Sequence, residues 1–111
     1  MIIYNAEING ELKTVVTAGG KIISVEENRK DGDINADGCR LIPGLIDVHT
    51  HGCIGMDTMD ADFEPMCRFY AEHGTTSFLP TTMTMGYDSL LKVVNAKTDF
   101  AGANILGFHF E

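Results

Sequence analysis

The sequence predicts an α/β fold made of two parts with different hydrophobic patterns. Up to residue 44, short β-branched runs are separated by Gly and Asn turns, which is typical of antiparallel hairpins. From there to residue 111, strand-like runs alternate with two amphipathic stretches of helical spacing. Strands that alternate with helices over short loops indicate βα units on a parallel sheet. We therefore predict part of a small β-domain over residues 1–44 and the first part of an α/β domain over residues 45–111.

The β-domain is predicted to begin with strands joined by tight turns. Residues 2–5 are the first strand candidate, and a polar turn follows them. Residues 12–18 and 21–26 are β-branched runs that predict a second and a third strand. The pair Gly19-Gly20 lies between these runs and favours a two-residue hairpin loop, because glycine accepts positive φ angles freely.

A charged loop and a Pro-Gly pair end the first part. Residues 28–38 are rich in Asp, Asn and Gly and predict a solvated loop without regular structure. Residues 39–42 form a brief extended stretch, which Pro43 and Gly44 interrupt. We place a domain boundary there, because the pattern changes from hairpins to strand and helix alternation immediately afterwards.

The second part is predicted to supply three strands and two helices. The predicted elements are a strand within LIDVHTHGCI at residues 45–54, a helix at about 62–73, a strand at 75–79, a helix at about 88–100 and a strand at 104–110. No GxGxxG motif follows the first strand, which disfavours a dinucleotide-binding unit and leaves an open sheet or a closed eight-stranded barrel. In both architectures active sites lie at the carboxyl ends of the strands.

Two histidines separated by one residue close the first strand of the second part. Side chains alternate between the faces of a strand, so His49 and His51 are predicted to share one face with Asp47. Imidazole is the commonest protein ligand for Zn²⁺ and related ions, and two on one strand make half of a metal site. The alternative is a strand whose histidines are satisfied by backbone carbonyls. Cys53 is not counted as a ligand, because the chain already turns at Gly52.

The last strand adds a carboxylate at the same level. Counting by twos places Gly107, His109 and Glu111 on one face, with Glu111 at the carboxyl end of the strand. Glu111 is therefore a candidate third ligand, and the alternative is a glutamate in water. His109 lies one layer deeper, and we predict that it is a hydrogen-bonded interior residue and not a ligand.

The composition argues against several partners and locations. The formal net charge is −8 and the Lys and Arg residues are scattered, which disfavours nucleic acid or an anionic membrane as the main partner. No apolar run reaches the roughly twenty residues of a membrane span, and the N-terminus lacks a signal-peptide pattern. The three cysteines form no CxxC pair and predict reduced thiols. These features together predict a cytoplasmic protein.

Three segments resemble the N-acetylglucosamine-6-phosphate deacetylase family of the amidohydrolase superfamily. The segments are IPGLIDVHTHG with the loop after it, GTTSFLPTTMT, and the terminal GFHFE, and together they span most of residues 42–111. The resemblance implies the first three βα units of a (β/α)₈ TIM barrel, preceded by strands of a small β-sandwich domain. It also implies that His49, His51 and Glu111 hold one or two divalent metal ions, with Zn²⁺ or Fe²⁺ expected first.

The same resemblance implies a reaction and a larger enzyme. The reaction is metal-dependent deacetylation of N-acetylglucosamine 6-phosphate to glucosamine 6-phosphate and acetate, in a homodimer. The family's general-base aspartate, further ligands and sugar contacts lie in later segments, so no catalytic residue is expected in this chain. Because a TIM barrel needs about 250 residues, we expect an N-terminal portion of the enzyme. The alternatives are a fragment that is non-catalytic on its own, and an amidohydrolase of cyclic amides, against which Glu111 counts.

Overall fold

The computed structural model describes every residue from 1 to 111 and shows a mixed α/β chain. Contacts between Cα atoms divide the chain into two compact units, Met1–Pro43 and Gly44–Glu111. The first unit contains only strands, whereas the second combines strands with two α-helices. Neither helix has the length and apolar character that a membrane span requires.

The first unit is a four-stranded sheet in the order β3-β2-β1-β4. Its strands are β1 (Ile2–Ile8), β2 (Glu11–Ala18), β3 (Lys21–Glu27) and β4 (Ile34–Asn35). Strands β1, β2 and β3 pair antiparallel, as hairpin-connected strands do, and β4 lies parallel to β1. The three antiparallel strands correspond to the three strands predicted from the sequence. Strands β1 and β3 extend beyond their predicted ends, and β2 begins one residue early.

The turns of this sheet show where sequence patterns are informative. Gly19 and Gly20 join β2 to β3 at φ angles of +57° and +73°, so the predicted glycine hairpin is confirmed. The prediction of an irregular loop over residues 28–38 is wrong at β4, where Ile34 and Asn35 pair with β1. Two paired residues are too few to produce a recognisable alternation in a charged segment.

The second unit is built around a parallel sheet in the order β5-β8-β9. Its elements are β5 (Leu45–Thr50), β6 (Gly52–Cys53), β7 (Met56–Asp57), a 3₁₀ helix (Thr58–Asp60), α1 (Glu64–Glu72), β8 (Thr75–Pro80), α2 (Tyr87–Val94) and β9 (Asn104–Ile105). Helix α1 connects β5 to β8 and α2 connects β8 to β9, so each crossover between parallel strands contains a helix. The predicted alternation of strands and helices is thus confirmed in this unit.

Two predicted elements extend too far. Helix α2 ends at Val94, six residues before its predicted end, and Asn95 caps it. The segment after Asn95 contains Thr98 and Asp99, which are poor helix formers. Strand β9 contains two residues, because Gly107 adopts a φ of +154° and breaks the ladder. Pairing resumes beyond it as a single parallel bridge between Thr81 and His109.

The core of the second unit lies between α1 and the parallel sheet. Residues Phe63, Met66, Cys67 and Tyr70 recur at helical spacing and are buried, which explains why this stretch forms a helix. The buried Phe78 of β8 faces them, with its ring centroid 4.6 Å from that of Tyr70. Helix α1 thus covers the central strand of the sheet, and the remaining members of the core are Val93 and Ala103.

Tyr70 links the helix layer to β5 through its hydroxyl. The Tyr70 and Thr50 hydroxyls lie 2.5 Å apart, and both side chains are buried. We expect Tyr70→Phe to lower the free energy of unfolding by about 1 kcal/mol, the usual net value of such a hydrogen bond. Urea denaturation of both proteins at neutral pH measures this difference, and equal midpoints would contradict the prediction.

Tyr70 also makes the free energy of unfolding depend on pH. Burial raises the pKa of the Tyr70 phenol above its ordinary value, although the hydrogen bond with Thr50 opposes the shift. Above pH of about 10 the unfolded chain releases this proton while the folded chain retains it, so stability falls as the pH rises. In Tyr70→Phe this contribution is absent, and we expect a shallower loss of stability between neutral and alkaline pH. An identical slope in the two proteins would contradict the assignment.

Candidate metal centre

The carboxyl end of β5 presents the two histidines as a pair. Thr50, between them, is buried toward the helix layer, whereas His49 is exposed and His51 is half-buried on the opposite side. The Nε2 atoms of the two imidazoles lie 3.3 Å apart. The two ring nitrogens therefore meet at one point, as the one-residue spacing of His49 and His51 predicts.

Glu111 completes a group of three potential ligands. Its Oε2 atom lies 2.8 Å from Nε2 of His51. One ligand atom from each of His49, His51 and Glu111 lies within 4.8 Å of the others, so all three predicted site residues meet in one place. His49 lies in β5, His51 directly follows that strand, and Glu111 lies in the segment after β9, so the group spans both sides of the central strand β8.

The spacing of the two imidazole nitrogens fits a tetrahedral metal ion, whereas Oε2 of Glu111 and Nε2 of His51, 2.8 Å apart, are at hydrogen-bonding distance. Zn²⁺ binds imidazole nitrogen at about 2.0–2.1 Å, and two such bonds at a tetrahedral angle place the nitrogens about 3.3–3.4 Å apart. The separation of 3.3 Å between the two Nε2 atoms matches this value. Two neutral imidazoles and one carboxylate also form a donor set that suits zinc and other divalent transition metals. These residues can therefore hold a metal ion.

The second ring nitrogen of His51 contacts a backbone carbonyl. Nδ1 of His51 lies 3.2 Å from the carbonyl oxygen of Thr81, and Nε2 lies 2.8 Å from Oε2 of Glu111. Both oxygens accept hydrogen bonds, so either ring nitrogen can donate while no metal is bound. A metal ion on Nε2 would leave the proton on Nδ1, where the Thr81 carbonyl can accept it. Metal-bound histidines commonly have this arrangement, in which the distal N–H is fixed by a carbonyl or carboxylate.

A short hairpin holds the backbone immediately after the histidines. Gly52 has a φ of +146°, and a Cβ there would lie 1.9 Å from the carbonyl oxygen of Met56, so only glycine fits. Strands β6 and β7 form this hairpin, and the backbone N–H of Thr58 then donates to the carbonyl of His51 at 2.8 Å. The end of the HxH segment is consequently fixed from both sides. The sequence analysis places a turn at Gly52 but not the hairpin.

Asp47 does not belong to this centre. The ladder between β5 and β8 shifts register between Asp47 and Thr50, which breaks the alternation on which the sequence prediction depends. Asp47 is aligned with Phe78, whose side chain is buried in the core, and its Oδ1 accepts a hydrogen bond of 3.0 Å from the His49 backbone N–H. Its carboxylate thus supports the backbone of β5 and is not among the grouped ligand atoms.

His109 and Cys53 lie close by but outside the ligand group. The ring of His109 packs edge-to-face on His49, with centroids 4.7 Å apart, and its Nδ1 lies 3.3 Å from the Thr81 hydroxyl. His109 is half-buried and hydrogen-bonded, in agreement with its predicted role. Cys53 is half-buried, and burial raises the pKa of its thiol, with a hydrogen bond from Tyr70 acting in the opposite direction. A raised pKa disfavours the thiolate form that binds metals.

Thr81 contacts this centre but was missed by the sequence analysis. It follows β8 directly, is completely buried, and contacts β5, His51 and His109. The available signal was its position, because a polar residue directly after a parallel strand lies at the edge where sites form. The threonine-rich run around it obscured that signal.

Comparisons with known proteins identify a consistent set of relatives. No protein-family model matches the sequence. The chain is 39% identical over 114 residues to N-acetylglucosamine-6-phosphate deacetylase of Bacillus subtilis. This alignment covers 93% of the chain and 28% of the relative. The enzymes of the same name from Lysinibacillus sphaericus and Vibrio furnissii are 35% and 33% identical, over 88% and 99% of the chain and 31% and 30% of their own lengths. The chain thus spans less than a third of each relative.

Solved structures of the same kind of enzyme share the fold. The crystal structure of N-acetylglucosamine-6-phosphate deacetylase from Thermotoga maritima aligns with a TM-score of 0.63 and 34% identity, over 85% of this chain and 26% of that chain. The enzyme from Pasteurella multocida aligns with a TM-score of 0.67 over 98% of this chain and 33% of that chain. At 23% identity the second match supports the fold alone. The resemblance predicted from the three sequence segments is confirmed.

Proposed function

This chain is homologous to part of the N-acetylglucosamine-6-phosphate deacetylases, and from that premise we propose that it supplies the first metal ligands of such an enzyme. The proposed reaction hydrolyses the acetamide of N-acetylglucosamine 6-phosphate and yields glucosamine 6-phosphate and acetate. The observation that carries the proposal is the convergence of His49, His51 and Glu111 in a chain 39% identical to a deacetylase.

The arrangement of the elements supports a more detailed fold assignment. We propose that β5, β8 and β9 with their helices are the first three βα units of a (β/α)₈ barrel, and that the first unit is part of a β-sandwich. Strands β5, β8 and β9 are parallel and adjacent in chain order, as barrel strands are. Ile46 and Val48 of β5 are 62% and 61% exposed, which fits a strand face that further elements of the enzyme cover.

The ligand set defines what these residues contribute to the chemistry. A divalent ion held there supplies Lewis-acid polarisation of the amide carbonyl and lowers the pKa of an attacking water to about 7. His49 and His51 donate as neutral imidazoles, and Glu111 adds the single negative charge of the group. The set leaves a net positive charge on a divalent ion, which favours the charge that develops on the carbonyl oxygen. Zn²⁺ or Fe²⁺, as one or two ions, is the proposed cofactor.

The remaining parts of the proposal rest on the family relationship. Proton transfer to the leaving amine is assigned to an aspartate outside these 111 residues, because no second carboxylate joins the ligand group here. The complete enzyme is proposed to be a cytoplasmic homodimer. On its own, the 111-residue chain is proposed to bind metal without turnover, since the family relationship assigns the general base and the further ligands to other segments of the enzyme.

A chimera tests the proposed function. This chain replaces the corresponding segment of the Bacillus subtilis deacetylase, and acetate release from N-acetylglucosamine 6-phosphate is measured with Zn²⁺ or Fe²⁺. We expect turnover by the chimera and none by the isolated chain under the same conditions. The parent deacetylase is the positive control, and a cyclic amide such as dihydroorotate is the alternative substrate. A folded, metal-loaded chimera that hydrolyses only the cyclic amide would contradict the proposal.

A further inference from the structure

We propose that Thr81 is a positioning residue of the metal centre, acting through its carbonyl on His51 and through its hydroxyl on the backbone between the two histidines. The inference rests on the proposed metal centre and adds a residue that supplies no ligand atom. Thr81 lies at the carboxyl end of the central strand β8, between β5 on one side and His109 on the other.

The carbonyl of Thr81 is held rigidly where it meets His51. The backbone N–H of Thr81 donates to the carbonyl of Thr50 at 2.8 Å, so the peptide on one side of Thr81 is fixed to β5. The next peptide N–H, that of Thr82, donates to the carbonyl of His109 at 3.0 Å. The intervening carbonyl therefore has a fixed direction, and its oxygen lies 3.2 Å from Nδ1 of His51, where it can accept a hydrogen bond. This contact leaves Nε2 of His51 available as the ligand atom.

The hydroxyl of Thr81 accepts a hydrogen bond from a backbone N–H that has lost its partner in the sheet. The register shift between Asp47 and Thr50 interrupts the ladder of β5 and β8, so the Thr50 N–H needs another acceptor. Oγ1 of Thr81 accepts this hydrogen bond at 3.1 Å. Because Thr50 separates the two histidines in sequence, anchoring its peptide fixes the backbone from which both imidazoles project.

The same hydroxyl reaches the third strand. Oγ1 of Thr81 lies 3.3 Å from Nδ1 of His109 and 3.3 Å from the carbonyl oxygen of Leu79. The ring of His109 in turn packs on His49 with a centroid separation of 4.7 Å. One buried hydroxyl thus connects the backbone of β5 with the ring against which His49 packs. Outer-shell contacts of this kind limit the orientations that the metal-binding rings can adopt.

The neighbouring residue provides a matched control. Thr82 is also completely buried, but its Oγ1 has no hydrogen-bond partner. The substitutions Thr81→Val and Thr82→Val remove the same hydroxyl from adjacent buried positions while keeping a β-branched side chain. Only the first substitution deletes contacts to the metal centre, so an effect of Thr81→Val alone distinguishes positioning from general loss of a buried hydroxyl.

The test measures Co²⁺ binding by the full chain through its visible absorption, with folding checked by circular dichroism. We expect Thr81→Val to weaken Co²⁺ binding about tenfold, in the range of outer-shell substitutions, and to alter the absorption bands. Thr81→Ser retains the hydroxyl and is expected to restore both the affinity and the spectrum. Thr82→Val is expected to leave both unchanged. A folded Thr81→Val protein with unaltered affinity and spectrum, or an equal loss in Thr82→Val, would overturn the inference.

Nitrogen NMR of the Zn²⁺-loaded chain tests the carbonyl contact without a variant. With Zn²⁺ added, we expect His51 to bind through Nε2 and to carry its proton on Nδ1, and binding through Nδ1 would overturn that part even if Thr81→Val failed to fold. The Co²⁺ experiment distinguishes failure of the proposed metal centre from failure of the proposed role of Thr81. Absence of Co²⁺ binding by the unaltered chain would overturn both proposals. Co²⁺ binding that is unchanged by Thr81→Val would overturn the role of Thr81 alone.

Discussion

Replacing Glu111 by glutamine is expected to lower the Zn²⁺ affinity of the chain by at least about 100-fold, the upper end of the losses seen for outer-shell residues. Glu111 supplies the only negative charge among the three grouped ligands. A glutamine keeps the shape of the side chain but offers a neutral amide oxygen, which is a weaker ligand for a transition metal. Competition with a chromophoric zinc chelator measures the change directly, without any requirement for turnover.

The chain offers a matched control for this substitution. Glu72 is an exposed glutamate at the end of α1 and lies outside the ligand group. Glu72→Gln makes the same change in net charge and is expected to leave Zn²⁺ affinity unaltered. Equal affinities of Glu111→Gln and the unaltered chain would remove Glu111 from the centre, and equal losses in both variants would show a general electrostatic effect and not ligation.

The convergence of the three candidate ligands was predictable from the sequence because each depends on a local pattern. The one-residue spacing of His49 and His51 predicts one face for both. Their Nε2 atoms lie 3.3 Å apart in the structure, although His51 lies just after β5. Glu111 required a second step, namely that parallel strands end at the same edge of a sheet. Neither step depends on details of packing, so both survive errors in the exact bounds of the strands.

The errors arise from irregular strand pairing, which counting residues by twos along a strand does not detect. Asp47 was placed on the histidine face because the count assumed an unbroken ladder, and a register shift before Thr50 changes the alternation. Thr81 was missed because its role depends on that same irregularity, which leaves the Thr50 N–H in need of an acceptor. A sequence pattern predicts which side chains share a face only where the pairing is regular.

Helix bounds were predicted well where packing and local signals agree. Helix α1 has buried residues at helical spacing and ends before Gly74, which has a φ of +86°, so its length is close to the prediction. Helix α2 lacks a comparable stop signal, and its predicted end relied on Phe100, which packs against the core from a non-helical segment. An apolar residue at helical spacing can therefore reach the core without belonging to the helix.

Replacing Phe78 by alanine is expected to lower the free energy of unfolding by about 3–5 kcal/mol, the range for a fully buried phenylalanine. Phe78 has no exposed surface and lies on the central strand β8, packed on Tyr70. Small domains have total stabilities of about 5–15 kcal/mol, so this loss is a large part of what is available. Urea denaturation followed by far-ultraviolet circular dichroism measures the change.

Phe110 provides the control for this prediction, since it allows the same substitution at an exposed site. Its side chain is 56% exposed, so Phe110→Ala removes little buried surface and is expected to cost about 1 kcal/mol or less. The two variants also separate stability from metal binding. Strand β8 holds β5 and β9 in register on either side, so we expect Phe78→Ala to lose Zn²⁺ affinity only as the chain unfolds, with binding restored by conditions that refold it. Similar costs for the two substitutions would contradict the assignment of the core to the interface between α1 and the parallel sheet.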